Sequence, residues 1–102
     1  MDTKIIVSSL NIYNYFNRCL LNAHPDSENP IIIYISKNSL SINNLSKKSI
    51  YVETHNKDDV YFNIDYNRLR RLVEIFRNLT EQPIVLTFDN EHNWLHISDA
   101  VI

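Results

Sequence analysis

The sequence of 102 residues contains no glycine, and this absence excludes several kinds of site. Phosphate-binding loops and the dinucleotide-binding fingerprint both require glycine where the backbone turns tightly against a phosphate group. Turns that need a positive φ must use asparagine or aspartate, because these residues tolerate the left-handed region best after glycine. We therefore predict no cofactor, and we expect asparagine at the tight turns. The candidates are Asn38, Asn43, Asn44, Asn56, Asn90 and Asn93.

Cysteine and long apolar runs are also scarce. Cys19 is the one cysteine, so no disulfide can form within the chain. The longest apolar run, Ile31 to Ile35, is far shorter than the ~20 residues that cross a bilayer. The N-terminal residues lack the pattern of a secretory signal. Together with a composition that is 44% hydrophobic and 22% charged, these features predict one globular domain, residues 1–102, in the cytoplasm and away from membranes.

Charge is distributed unevenly, although the net charge is only −2. Residues 37–57 carry four lysines and one acid, whereas residues 80–102 carry four acids and no lysine or arginine. An acidic end can steer a domain toward a basic partner. The alternative interpretation is that these acids keep a surface hairpin in solution.

Hydrophobic periodicity predicts two amphipathic helices among short strands. Ser9 and Asp65 are expected to cap helices over residues 10–23 and 66–79, where apolar residues recur at helical spacing. Most remaining segments alternate between apolar and polar residues, or are apolar throughout, as strands are. We predict an α+β fold, a two-layer sandwich in which two helices cover one face of a mostly antiparallel sheet. The predicted order is β-α-β-β-β-β-α-β-β.

No sequence pattern typical of catalysis or metal binding is present. His92 and His96 are four residues apart, but in a hairpin they would be separated by about 13 Å, and the order of residues in the zinc-protease motifs is missing. Cys19 falls on the apolar stripe of the first helix, where a buried and inert thiol is expected. We therefore predict no catalytic residue, no metal site and no enzyme. A site assembled from distant residues, such as His24, His55 or Asp99, stays open.

A hairpin near the C-terminus is the first candidate for a binding surface. Its sequence, VLTFDNEHNWLHISD, spans residues 85–99 and holds the single tryptophan. If Leu95 and Ile97 point into the core, Trp94 points outward, where tryptophan commonly anchors protein interfaces. The predicted partner-binding residues are Asp89, Glu91, His92, Trp94, His96 and Asp99.

The second helix is the other candidate, because it carries four arginines that lie largely off its apolar stripe. These arginines could neutralise the phosphates of a nucleic acid. The alternative is a solvated face that pairs lightly with Glu74 and Asp65. The alternative nucleic-acid-binding residues are Arg68, Arg70, Arg71 and Arg77.

The segment VYFNIDYNRLRRLVEIFRNLTEQPIVLTFDNEHNWLHISD, residues 60–99, resembles a strand–helix–hairpin unit of the DNA sliding-clamp family. In that unit an extended segment enters a helix of LLxxLxxL type, and two strands with the pattern xVxLxFxxxxLxI follow. The resemblance implies a clamp-like domain whose arginine-rich helix faces duplex DNA. Sliding clamps carry several such domains in each chain, whereas this sequence carries one.

By type, the chain is similar to the small bacterial immunity proteins that neutralise toxin domains. The similarity comes from its shortness, its lack of catalytic motifs, its acidic aromatic hairpin and an amino-acid bias typical of AT-rich coding sequences. It implies a non-enzymatic inhibitor that plugs the basic active site of a toxin, foremost a nuclease. The acids would then replace nucleic-acid phosphates, and Trp94 would be the apolar anchor. The clamp-like DNA-binding module is the alternative function.

Overall fold

A computed structural model describes residues 2–56, 58–79 and 82–99 of the chain. Within these ranges the protein has eight strands and two helices. The predicted α+β class and element order are confirmed, with eight strands in place of seven because one predicted strand is divided in two. The strands are β1 (Asp2–Ser8), β2 (Ile31–Ser36), β3 (Ser39–Ser41), β4 (Ser49–Tyr51), β5 (Glu53–Thr54), β6 (Val60–Ile64), β7 (Pro83–Asp89) and β8 (Trp94–Asp99). The helices are α1 (Ser9–Asn22) and α2 (Tyr66–Arg77).

The described strands form two four-stranded antiparallel sheets, with the orders β5-β1-β7-β8 and β4-β3-β2-β6. The chain contains two βαββ units, β1-α1-β2-β3 and β6-α2-β7-β8. The first strand of each unit pairs with the hairpin of the other unit. Strand β1 pairs with β7, and β6 pairs with β2. The segment IYVET, residues 50–54, has the pattern of one continuous strand, but it is divided at the buried Val52 into the end of β4 and β5, which belong to different sheets. The chain therefore crosses from one sheet to the other at this residue.

One hydrophobic core joins both sheets and both helices. Phe16 of α1 and Phe76 of α2 meet edge to face, with ring centroids 5.4 Å apart. Phe62 of β6 and Phe88 of β7 meet in the same way at 5.2 Å, and each comes from a different sheet. All four rings are almost fully buried. These two aromatic pairs therefore connect helix to helix and sheet to sheet.

The helix boundaries shift α1 by one residue at each end, end α2 two residues earlier than predicted, and confirm the predicted start of α2. Ser8, and not Ser9, caps α1, because the Ser8 hydroxyl accepts a hydrogen bond from the backbone N–H of Asn11 at 3.4 Å. Ser9 is buried, and its hydroxyl accepts from the backbone N–H of Gln82 at 3.1 Å. Asp65 caps α2 as predicted. Neither helix in the described ranges is long and apolar enough to cross a bilayer.

Positive φ angles mark two turns among the described residues. Asn93 has a φ of 56°, as expected for an asparagine that replaces glycine in a turn. Lys37 has a φ of 55°, whereas we expected the neighbouring Asn38 to take this role. Lys37 is the first residue of the two-residue loop between β2 and β3, a position that hairpin geometry can require to be left-handed whichever residue occupies it.

Candidate functional site

The predicted C-terminal hairpin is present and lies at the edge of a sheet. Strands β7 and β8 pair from Ile84 with Asp99 to Asp89 with Trp94, and residues 90–93 form the turn. Strand β7 is held on its other side by β1, whereas β8 is the last strand of its sheet. The sheet therefore supports the hairpin from one side and leaves its other side toward solvent.

Asp89 organises the turn from inside the hairpin. Its Oδ1 atom accepts a hydrogen bond from the backbone N–H of His92 at 3.2 Å, and its Oδ2 atom lies 2.8 Å from Nδ1 of the same residue. This hydrogen bond with the imidazole is the main cause that lowers the pKa of Asp89. The Asp89 carboxylate thus acts as the cap of the turn and keeps the His92 ring against it.

Asn93 ties the turn to the rest of the fold. Nη2 of Arg68 donates to the Asn93 carbonyl oxygen at 3.1 Å. In the amide orientation that satisfies its neighbours, Asn93 also accepts from Nη1 of Arg68 and donates to the Asn63 carbonyl oxygen, each at 3.1 Å. The Arg68 guanidinium lies over the Phe62 ring, 5.3 Å from its centroid. Helix α2 and strand β6 therefore hold the left-handed residue of the turn in place.

A column of three aromatic rings covers the outer face of the hairpin. The rings of His92 and Trp94 are 5.3 Å apart, and those of Trp94 and His96 are 5.9 Å apart. Trp94 is 57% exposed, whereas Leu95 and Ile97 are partly buried and pack against the core. The prediction that Trp94 points outward and that Leu95 and Ile97 point inward is confirmed. The protein thus presents its largest apolar side chain to solvent on a supported strand.

The hairpin is acidic where the structure describes it. Residues 82–99 contain Asp89, Glu91 and Asp99 but no lysine or arginine. Glu91 is exposed at the tip, and Asp89 is partly buried beneath His92. Asp99 ends β8, and its side chain lies outside the described part of the chain. Five of the six predicted partner-binding side chains are therefore brought together on one hairpin.

The tip also brings together three groups that can bind a metal ion. A carboxylate oxygen of Asp89, a carboxylate oxygen of Glu91 and a ring nitrogen of His92 all lie within 4.8 Å of one another. The spacing of His92 and His96 in the sequence did not predict this combination. An aspartate followed three residues later by a histidine in a turn is the signal that could have revealed it.

The arginines of α2 are divided between different roles. Arg70 and Arg71 are exposed, as a phosphate-binding face requires. Arg77 forms an ion pair with Glu74 at 3.5 Å, and because both side chains are exposed the pair adds little stability. Asp65 uses its carboxylate to accept from a backbone N–H in the first turn of α2. With Arg68 holding the hairpin turn, Arg70 and Arg71 are the arginines of this helix that remain most available for a ligand.

An open cleft of about 1010 Å³ lies at the start of α2 and was not predicted from the sequence. The residues that line it include Tyr34 and Tyr61, whose rings stack with centroids 4.8 Å apart. The Tyr34 hydroxyl and the Ser36 hydroxyl donate to the two carboxylate oxygens of Asp59, at 2.8 and 2.7 Å. Because these bonds stabilise the anion, they lower the pKa of Asp59. Tyr34 and Tyr61 are neighbours across β2 and β6, which the sequence could indicate only once that pairing was known.

Cys19 has the environment of a structural thiol. Its side chain is fully buried in α1, and this burial raises the pKa of the thiol to about 11. Only the thiolate is nucleophilic, so at neutral pH this residue is inert. The prediction of a buried thiol on the apolar stripe is confirmed.

We expect Ellman's reagent to modify Cys19 only after the chain unfolds. At pH 8, the raised pKa alone should make the native thiol react roughly 100-fold more slowly than a solvated cysteine, and burial should slow it further. Stopped-flow absorbance in buffer and in guanidinium chloride measures both rates. Rapid modification of the native protein would contradict the burial and the raised pKa of Cys19.

Comparisons of the chain with protein-family models, with curated proteins and with solved structures find no match. The function must therefore be inferred from the geometry of the described residues. The feature that most needs an explanation is the supported acidic hairpin with an exposed tryptophan.

Proposed function

We propose that this chain is a non-enzymatic, protein-binding inhibitor of the immunity-protein type, which acts in the cytoplasm. It would neutralise a toxin domain, foremost a nuclease, by inserting the β7–β8 hairpin into the active site. The observation that carries this proposal is the 57% exposure of Trp94 on a hairpin held in place by neighbouring elements. Exposed tryptophans that are flanked by polar groups are typical anchors of protein interfaces.

The rigidity of the turn favours binding over catalysis. Arg68 holds the turn from α2, and Asp89 caps it from within. A surface that is already ordered loses little conformational entropy when a partner binds, so more of the contact energy appears as affinity. Two histidine rings flank Trp94 and give a partner a continuous aromatic surface.

The charge of the hairpin favours a basic partner. Glu91 is exposed next to the aromatic column, and residues 82–99 contain no lysine or arginine. The one cation described against the turn, Arg68, is engaged with Asn93. The cleft of a nuclease is basic because it binds phosphates, and acids on an inhibitor can take the place of those phosphates. Occlusion of such a cleft would need no chemistry from this chain.

The proposed function is tested by co-expression with the product of the neighbouring gene. If that product is a toxin, we expect this chain to suppress its toxicity and to co-purify with it at 1:1 stoichiometry. Unchanged toxicity in the presence of abundant folded protein would contradict the proposal. A catalytically inactive toxin serves as the binding partner in measurements of affinity.

The second candidate is a clamp-like module that binds duplex DNA through α2, and the exposure of Arg70 and Arg71 favours it. In that case the double variant Arg70→Glu, Arg71→Glu should lower duplex affinity by at least about tenfold and reduce its salt dependence. Lys47→Glu with Lys48→Glu is the matched control, because it changes the charge equally at two exposed residues outside α2. Fluorescence anisotropy over a salt series measures both. No duplex binding by the wild-type protein would eliminate this candidate.

A further inference from the structure

We propose that Asp89, Glu91 and His92 form a binding site for a divalent transition-metal ion, represented by Zn²⁺, at the tip of the β7–β8 hairpin. The proposal rests on the geometry of these three side chains and does not depend on the identity of any protein partner. It differs from the prediction, made from sequence patterns, that the chain has no metal site.

The spacing of the ligand atoms is close to what a metal ion requires. Zinc binds histidine nitrogen and carboxylate oxygen at about 2.0–2.2 Å, so neighbouring ligand atoms lie about 3–3.6 Å apart. Oδ2 of Asp89 and Nδ1 of His92 are joined by a hydrogen bond of 2.8 Å, so a metal ion would replace the shared proton and hold the two atoms slightly farther apart. All three ligand groups lie within 4.8 Å of one another. Glu91 is exposed at the turn, so a rotation of its side chain closes the remaining distance.

The donor set selects the class of ion. One imidazole nitrogen with two carboxylate oxygens suits Zn²⁺, Co²⁺ or Ni²⁺, whereas Mg²⁺ and Ca²⁺ prefer oxygen ligands alone. The charges of the two carboxylates balance those of a divalent ion. Three protein ligands leave at least one coordination position open to solvent or to a group from another molecule.

A backbone hydrogen bond orients one of the three ligands, the Asp89 carboxylate. While Oδ2 of Asp89 faces the imidazole, its Oδ1 accepts from the backbone N–H of His92. A ligating carboxylate is commonly held by such a second hydrogen bond, which fixes its orientation. Arg68 contacts the turn at Asn93, and its positive charge is the feature that opposes cation binding.

Isothermal titration of untagged protein with Zn²⁺ tests the proposal. We expect 1:1 binding with a dissociation constant on the order of micromolar. His92→Ala should weaken it by at least about tenfold and Glu91→Gln by a smaller factor, because each removes one ligand. His55→Ala is the matched control, since His55 is exposed and lies outside the hairpin, and it should leave the affinity unchanged.

The single tryptophan provides a second measurement that locates the ion. The Trp94 ring lies 5.3 Å from the His92 ring, so paramagnetic Co²⁺ at this site should quench Trp94 fluorescence, and excess Zn²⁺ should restore it. Absence of Zn²⁺ binding, or equal affinity in wild type and His92→Ala, would overturn the proposal and mark any bound ion as adventitious. Either result would leave the toxin-binding test unaffected, because that test is made without added metal.

Discussion

The Trp94→Ala variant is expected to bind the inactive toxin partner roughly 30-fold more weakly than the wild-type protein, which corresponds to ~2 kcal/mol. Trp94 is 57% exposed at the centre of the aromatic column, and an interface would remove this large apolar surface from water. Truncation to alanine removes that area and leaves the flanking histidines without the ring between them. The same variant should fail to protect cells from the active toxin.

Tyr51→Ala is the control for this prediction. Tyr51 is also a large exposed aromatic residue, at 65% exposure, but it lies on β4 in the other sheet. We expect its affinity for the toxin to equal that of the wild type in surface plasmon resonance. Equal losses for both variants, or no loss for Trp94→Ala at normal folding, would show that the partner does not bind through the hairpin.

Phe16→Ala is expected to lower the free energy of unfolding by about 3–5 kcal/mol. Phe16 is fully buried and meets Phe76 edge to face at 5.4 Å, so its removal leaves a cavity between α1 and α2. Domains of this size are stable by only about 5–15 kcal/mol. The loss should therefore lower the melting temperature by at least about 12 °C.

Leu21→Ala on the same helix is the matched control. Leu21 is 78% exposed, and substitutions at such surface positions usually change stability by less than about 0.5 kcal/mol. Urea denaturation followed by circular dichroism measures both variants. A loss for Phe16→Ala no larger than that for Leu21→Ala would contradict the assignment of the core.

Local patterns in the sequence were sufficient for the main elements of the fold. The alternation of Val60, Phe62 and Ile64 predicted a strand with one buried face, and these residues are buried in β6. Asp65 before an apolar stripe predicted the start of α2. The pair Leu95 and Ile97 predicted the orientation of Trp94. Each of these predictions depends on a few neighbouring residues, so it can be made from the sequence without knowledge of which strands pair.

Interactions between residues far apart in sequence determined two features that local patterns did not predict, the burial of Tyr15 and the division of the segment around Val52. Tyr15 of α1 is buried, and its polar hydroxyl is satisfied there because it donates to the Lys48 carbonyl and accepts from the Ile42 N–H. The segment around Val52 reads as one strand, and only the pairing of its two ends divides it between sheets.

For the hairpin, the sequence by itself determined that an acidic turn with an outward tryptophan would form. The tertiary structure alone decided that Arg68, which was predicted as a possible DNA contact, would instead hold Asn93 across 25 positions of sequence. The physical reason is that periodicity and capping act over one or two turns of chain, whereas hydrogen bonds between side chains of separate elements form only once the core has placed those elements together.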